Sequence, residues 1–139
     1  MRKGAKRVFV DTGGWLALAL VSDPYHERAA EGWRELQRGG ARPCTSVPVV
    51  VETFTYLQRK IDVRLAHSWS EGLRGPGGAE VFACSPDDLE VAWPWLQRRE
   101  LHKLSLVDAT SFVLMRKHGV RQVLGFDTHF AQAGFRLVV

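Results

Sequence analysis

The sequence has few cysteines and no long apolar run, and each shortage excludes a class of protein. Its two cysteines, Cys44 and Cys84, form no C-x-x-C pair, so we do not expect a structural zinc site. We predict reduced thiols in a cytoplasmic protein, with a bond between the two cysteines left open. The longest uninterrupted apolar run, Trp15 to Val21, is far shorter than the roughly 20 residues that span a bilayer, so no membrane role is expected.

The N-terminus and the overall charge give weaker signals. A basic start followed by apolar residues imitates a signal peptide, but Asp11 and the Gly13-Gly14 pair interrupt the apolar region. The excess of 19 Lys+Arg over 15 Asp+Glu gives a net charge of +4, which favours a polyanionic partner only modestly. A chain of 139 residues with 45% hydrophobic residues predicts one domain, residues 1–139, with a buried core.

Short apolar segments alternate with helical patterns along the whole chain. Strands are predicted at residues 6–10, 42–45, 80–83, 122–126 and 135–138. Helices are predicted at residues 15–21, 25–38 (with Asp23-Pro24 as cap and first-turn proline), 47–60, 62–74, 85–99 (kinked at Pro94), 105–118 and 128–133. This alternation predicts an α/β domain whose parallel sheet is covered on both faces.

The triplet Asp11-Thr12-Gly13 has two familiar interpretations that the rest of the chain excludes. Aspartic proteases need two such triplets in an all-β framework, whereas here the triplet occurs once and precedes a helical pattern. Phosphatases of the haloacid dehalogenase type place a second aspartate two residues after the first, where this chain has Gly13.

Four acidic residues lie among apolar neighbours. Asp11 ends the first strand, Glu52 interrupts VPVVVETF, Asp108 lies in LSLVDATSFVL, and Asp127 ends VLGFD. Each has a purely structural alternative: Asp11 and Asp127 can cap helices, and Asp108 has the spacing of a capping box with Ser105. Glu52 lies in mid-helix, so its structural alternative is an ion pair with an arginine or a side chain that extends to solvent.

Topology favours bringing the four acids together. The carboxyl ends of parallel strands meet at one sheet edge, and the helices that follow them begin there. Carboxylates crowded in one cleft repel each other unless cations neutralise them, and Mg²⁺ and Mn²⁺ prefer oxygen ligands. The sequence therefore predicts a divalent metal site formed by Asp11, Glu52, Asp108 and Asp127.

The segments VDTGGWLAL, VVVETFTYL, LSLVDATSFVLMRKHGV and LGFDTHFAQAGF resemble PIN-domain proteins, especially the VapC-like toxins of toxin-antitoxin pairs. Asp11, Glu52, Asp108 and Asp127 fall in the family's order. The resemblance implies a three-layer α/β/α domain with a central parallel sheet of about five strands in the order 3-2-1-4-5. It also implies metal-dependent cleavage of single-stranded RNA, a homodimer, and a small antitoxin protein whose tail covers the acidic cleft.

The resulting hypothesis is phosphodiester hydrolysis with one or two Mg²⁺ or Mn²⁺ ions. Asp11, Asp108 and Asp127 would be catalytic metal ligands, and Glu52 a further ligand or an acceptor beside them. Two alternatives remain: a PIN-type nuclease of RNA processing or DNA, and a non-catalytic nucleic-acid-binding module whose acids only cap helices.

Other residues are secondary candidates. The hydroxyls of Thr12, Ser105 and Thr128 could orient carboxylates or water, and none of the five histidines has metal-ligand spacing, although His129 lies near Asp127. We expect Trp15 in the core. We also expect either Trp93 or Trp95, which flank Pro94, to be exposed. Candidates for contacts to the RNA backbone are Arg59, Lys60, Arg64, Arg98, Arg99, Lys103, Arg116 and Lys117.

Overall fold

The strands pair into one parallel sheet in the order β3-β2-β1-β4-β5, as predicted. The structure, a computed structural model, describes residues 6–139. The strands are β1 Arg7–Val10, β2 Arg42–Ser46, β3 Glu80–Phe82, β4 Gln122–Leu124 and β5 Arg136–Leu137. The apolar residues of central strands β1 and β4 are fully buried, because helices cover both faces of a parallel sheet.

In the part of the chain that the structure describes, seven α-helices flank the sheet. They are α1 Thr12–Ala19, α2 His26–Arg38, α3 Val47–Tyr56, α4 Val63–Arg74, α5 Pro86–Ala92, α6 Leu106–Lys117 and α7 His129–Gln132. Asp62 and Ser85, the residues at which two helices were predicted to begin, cap α4 and α5, and Ser85 forms a complete capping box with Asp88. None of the helices in residues 6–139 is long and apolar enough to cross a bilayer.

Two predicted helices are shorter than the sequence pattern indicated. The α-helix predicted to end at Lys60 ends at Tyr56, and Leu57–Ile61 forms a π-helical turn that closes with a bond from the Asp62 N–H to the Leu57 carbonyl. The helix predicted to reach residue 99 ends at Ala92. Pro94 has no N–H to donate, so the chain continues as two short 3₁₀ segments, Trp93–Gln97 and Arg99–Leu101.

The starts of two helices and the end of one strand also differ from their predicted positions. The cap predicted from Asp23-Pro24 is wrong: α2 begins at His26 without a side-chain cap, and Asp23 accepts a bond from the Tyr25 N–H instead. Helix α1 begins at Thr12 rather than at residue 15, because Asp11 caps it directly. Strand β4 ends at Leu124 rather than at the predicted residue 126, so residues 125 and 126 form the connection between β4 and Asp127.

The core confirms the predictions for the tryptophans. Trp15 is buried and donates from Nε1 to the Thr45 hydroxyl at 3.2 Å. Trp95 is 8% exposed and packs against Phe112, whereas Trp93 is 43% exposed. The two cysteines are free thiols, so the bond between them that the sequence left open is not formed.

Candidate metal centre

The site lies at the carboxyl edge of the two central strands. β1 and β4 pair in parallel with Val10 opposite Leu124, so residues after both strands emerge side by side. The Asp11 N–H donates to the Leu124 carbonyl at 3.4 Å, which fixes the start of α1 against the end of β4. Asp11 and Asp127, which lie far apart in sequence, therefore reach the same edge, as the topology predicted.

Asp11 is the most buried of the four acids. Its side chain is both a helix cap and part of the acidic group: Oδ1 accepts the Gly14 N–H at 2.7 Å, and the residue is 5% exposed. Burial raises the pKa of Asp11 to about 7; the charges of Asp108, Asp127 and Glu52 act in the same direction, and the Gly14 N–H opposes them. Capping and clustering are therefore compatible roles for one carboxylate.

Gly125 makes room for the Asp11 carboxylate. A Cβ atom added at position 125 would lie 2.5 Å from Asp11 Oδ1 and 2.7 Å from Oδ2, which is closer than real Cβ contacts. Only glycine therefore lets the β4–α7 connection pass against the carboxylate. This requirement explains the glycine in the segment VLGFD, two residues before Asp127.

Asp108 uses its backbone for capping and leaves its carboxylate for the cluster. The Ser105 hydroxyl accepts the Asp108 N–H at 3.0 Å, but among the described residues no return bond joins the Asp108 carboxylate to the Ser105 N–H. The same Ser-x-x-Asp spacing forms a complete box at Ser85 and Asp88. Burial, and then the charge of Asp127, raise the pKa of Asp108 to about 6.

His129 joins the acidic group, although its spacing did not predict a metal role. Side-chain atoms of Asp108, Asp127 and His129 lie within 4.8 Å of one another, close enough to contact a single ion. His129 Nδ1 is 3.0 Å from Asp127 Oδ1, and Nε2 is 2.7 Å from the His102 carbonyl oxygen. The Asp-x-His spacing in the turn after β4 was the available sequence signal for this contact.

Glu52 is half-buried and reaches the site from α3. The Thr12 hydroxyl donates to Glu52 Oε1, linking the first residue of α1 to the middle of α3. Within residues 6–139, Glu52 makes no ion pair, so the predicted alternative of an arginine partner is wrong. The negative charge of Glu52 instead raises the pKa of both Asp11 and Asp108.

The cluster lacks cationic side chains that would balance it. No lysine or arginine of the described chain forms an ion pair with Asp11, Glu52, Asp108 or Asp127, and the nearest basic group is His129. Carboxylate oxygens with one imidazole are donors that suit Mg²⁺ or Mn²⁺. The residues present therefore fit a hard divalent cation.

An apolar groove of about 900 Å³ runs beside Glu52 between α3, α5 and α6. Val47, Val51 and Tyr56 line it and are 43–59% exposed. Arg59 and Lys60 also line it. Three other predicted RNA contacts, Arg64, Arg98 and Lys117, form ion pairs with nearby acids, and Arg116 donates to the Ala133 carbonyl.

Comparison with known proteins identifies the family. The family model of the PIN domain matches residues 8–136, a range that contains all four acids. The chain belongs to the PIN-domain family. It is 37% identical over 131 residues to the 23S rRNA-specific endonuclease VapC20 of Mycobacterium tuberculosis, covering 92% of this chain and 95% of that protein.

Solved PIN-domain structures share the fold. The crystal structure of M. tuberculosis VapC20, described as a sarcin-ricin loop cleaving toxin, matches with a TM-score of 0.82 and 35% identity over 92% of this chain and 95% of that one. FitAcB from Neisseria gonorrhoeae matches with a TM-score of 0.67 and 14% identity, covering 94% and 95% of the two chains. DNA-bound VapBC from Salmonella typhimurium has the same TM-score and identity, covering 96% and 97%. At 14% identity these last two show the fold alone.

Proposed function

We propose that this protein is a metal-dependent endoribonuclease that hydrolyses phosphodiester bonds of single-stranded RNA, and that it is the cytoplasmic toxin of a toxin-antitoxin pair. The observation that carries the proposal is the buried Asp11 carboxylate, which faces three further acids without an ion-paired lysine or arginine from residues 6–139 to balance them. The likeness to VapC20, named as an endonuclease specific for 23S rRNA, supports RNA as the substrate class.

Asp11, Asp108 and Asp127 would hold one or two Mg²⁺ or Mn²⁺ ions, with Glu52 as a ligand or as an acceptor beside them. Such an ion, when bound, supplies Lewis-acid stabilisation of phosphate oxygens and makes water a better nucleophile. The chain contributes by fixing the donors: the Gly14 N–H orients Asp11, Thr12 orients Glu52, and the backbone N–H of His129 orients Asp127.

The non-catalytic alternative explains less of this geometry. Helix capping accounts for the position of Asp11, but it uses only the backbone N–H of Asp108 and does not involve Glu52. A module whose acids were only caps would have no reason to hold Asp127 and Glu52 where their charges raise the pKa of both Asp11 and Asp108.

For the partner, we propose a small antitoxin that lies in the apolar groove beside Glu52. The groove is lined almost wholly by apolar groups, including exposed Val47 and Val51, and it leads to the acidic cluster. A segment seated there would cover the route to the acids, and a basic residue at its end would meet four carboxylates. We also propose a homodimer, as the resemblance implies; light scattering should give twice the mass of the 139-residue chain.

The test is cleavage of single-stranded RNA by the purified protein. We expect cutting with Mg²⁺ or Mn²⁺, none with EDTA, and none from Asp11→Asn or Asp108→Asn. Asp62→Asn is the matched control, because Asp62 also caps a helix but lies outside the acidic cluster. Undiminished cleavage by Asp11→Asn would overturn the metal scheme.

A further inference from the structure

Arginines mark the beginning of four of the five strands. Arg7, Arg42 and Arg136 are the first residues of β1, β2 and β5, and Arg121 directly precedes β4. All four therefore lie at the amino edge of the sheet, opposite the edge that holds the acids. The residues that the sequence suggested for RNA binding included none of them.

The strand register places three of these arginines in line. Arg7 is opposite Arg42, and Val8 is opposite Gln122, so Arg121 follows Arg7 on the next strand. On β5, Arg136 is opposite Gln122 and its N–H donates to the Arg121 carbonyl at 2.9 Å, so Arg136 adjoins the line one position further along the sheet. Because neighbouring strands are about 4.8 Å apart, the row of three extends over about 10 Å.

Little in the described chain neutralises this row. Arg7 pairs with Glu80 at 3.1 Å, whereas the exposed side chains of Arg42, Arg121 and Arg136 make no ion pair or hydrogen bond within residues 6–139. Like charges on adjacent strands destabilise a sheet. The fold therefore gains nothing from these three side chains, which makes a role in binding the better explanation for them.

Two adjoining depressions cover the amino edge, with volumes of about 560 and 730 Å³. They share Gly119, Arg121 and Gln122, and no aspartate or glutamate is among the described residues that line either one. Their cationic side chains are Lys6, Arg7, Arg42, Arg116, Arg121 and Arg136. The result is a concave, continuous and strongly positive surface, which we call the arginine edge.

The arginine edge cannot serve the acidic site directly. Strands β1 and β2 have four and five residues, at about 3.3 Å each, so the two edges are separated by roughly 15 Å. A short single strand bound across the acids would not reach the arginines, whereas a folded RNA is broad enough to contact both edges. Guanidinium groups bind phosphate oxygens through paired N–H donors, which a row of arginines can offer to successive phosphates.

We propose that the arginine edge is a second RNA-binding surface, which holds the phosphate backbone of a folded RNA away from the bond that is cut. The proposal rests on the proposed function for its substrate class. It adds that affinity for large structured RNA comes largely from a surface that takes no part in the chemistry.

The test compares two double variants of equal charge loss. Arg42→Gln/Arg121→Gln removes two unpaired members of the row, and Arg34→Gln/Arg38→Gln removes two exposed arginines that face Glu31 elsewhere. Both are made in the wild-type and Asp11→Asn backgrounds. Fluorescence anisotropy then measures how the affinity of the Asp11→Asn proteins for a stem-loop RNA and for a short single-stranded oligonucleotide depends on salt.

For the stem-loop, log K decreases with log salt, and we expect this dependence to become shallower by about 0.7–0.9 for each phosphate that an arginine no longer neutralises. The change should occur only in the arginine-edge variant. In the wild-type background, that variant should cut the short oligonucleotide at an unchanged rate but show a raised KM for the stem-loop. An unchanged slope, or an equal fall in the control variant, would overturn the inference. If none of the proteins cleaved RNA but binding of the stem-loop still depended on the arginines, the proposed function would be refuted and the arginine edge would not.

Unfolding in urea separates binding from folding. Because the two arginines make no side-chain contact that the fold needs, Arg42→Gln/Arg121→Gln should be at least as stable as the wild type. Weaker RNA binding accompanied by clear destabilisation would contradict the assignment of a binding role. An acidic protein that bound this edge more tightly than the stem-loop would also contradict it.

Discussion

Replacing Asp11 with asparagine should stabilise the metal-free protein while abolishing its activity. The pKa of Asp11 is raised from its ordinary value of 3.8 to about 7, chiefly by burial. Since one pKa unit is worth about 1.4 kcal/mol, ionising Asp11 costs the folded state about 4 kcal/mol above neutral pH. Asparagine is neutral, has nearly the same shape, and retains an oxygen for the Gly14 N–H.

The pH dependence of this effect has a definite sign. Below pH 3.8 Asp11 is protonated in both the folded and unfolded states, so its ionisation contributes nothing. Between 3.8 and about 7 the unfolded chain is ionised while the folded protein keeps its proton, so stability falls as the pH rises. Asp108, whose pKa is raised to about 6, adds a loss in the same direction.

Urea unfolding in EDTA at several pH values measures the effect. We expect Asp11→Asn to be more stable than the wild type by up to about 4 kcal/mol at pH 8, with the difference vanishing near pH 4. Asp62→Asn is the control, because Asp62 also caps a helix but its side chain is 46% exposed, and asparagine caps equally well. A metal-free Asp11→Asn protein no more stable than the wild type at pH 8 would refute the reasoning.

Three further predictions follow from the same contacts. Mn²⁺ should raise the melting temperature of the wild type more than that of Asp11→Asn, as differential scanning calorimetry would show, because ligand binding to the folded state stabilises it. Gly125→Ala should displace the Asp11 carboxylate and abolish RNA cleavage. The control is Gly72→Ala on α4, where the added methyl group meets open space; it should stabilise the protein by about 0.5–1 kcal/mol and leave cleavage intact. Thr12→Val should weaken Mn²⁺ binding in calorimetric titrations, because the variant removes the hydroxyl that donates to Glu52, whereas Thr12→Ser keeps a hydroxyl and should bind Mn²⁺ as the wild type does. Equal Mn²⁺ affinity of the two variants would contradict a role for Thr12 in orienting Glu52.

The sheet and its acidic edge were predictable because strong local signals coincided with simple topology. Unbroken apolar segments such as residues 8–10, alternating with helical patterns, are typical of strands buried on both faces of a parallel sheet between helices. Once strands β1 and β4 are neighbours, their carboxyl ends must carry Asp11 and Asp127 to one place. The strand order itself came from the family resemblance and not from periodicity.

Two of the predictions that were wrong concern backbone geometry within helices. The apolar pattern continues through residues 57–61, but the backbone widens there into a π-helical turn, and side-chain periodicity carries no signal for that change. At Pro94 the sequence indicated a kink, whereas the missing N–H ended the α-helix altogether. In both cases the decisive quantity is a single backbone hydrogen bond.

Two features of the surface depend on geometry that the sequence shows only weakly: one on a local turn, the other on the strand register. His129 comes into contact with Asp127 only because the turn after β4 folds back to place both side chains together. The arginine edge is similarly invisible along the chain, since Arg7, Arg42 and Arg121 are distant in sequence and become neighbours only when the strands pair. Charged residues at strand ends are usually solvated, so no one of them stands out.

The central claim is that the four gathered carboxylates bind divalent cations. Electron paramagnetic resonance of Mn²⁺ measures this directly, because the signal of the free ion disappears on binding. We predict saturable binding of one or two ions by the wild type, the same binding by Asp62→Asn, and its loss in the double variant Asp11→Asn/Asp108→Asn. Equal binding by the double variant and the wild type would contradict the account.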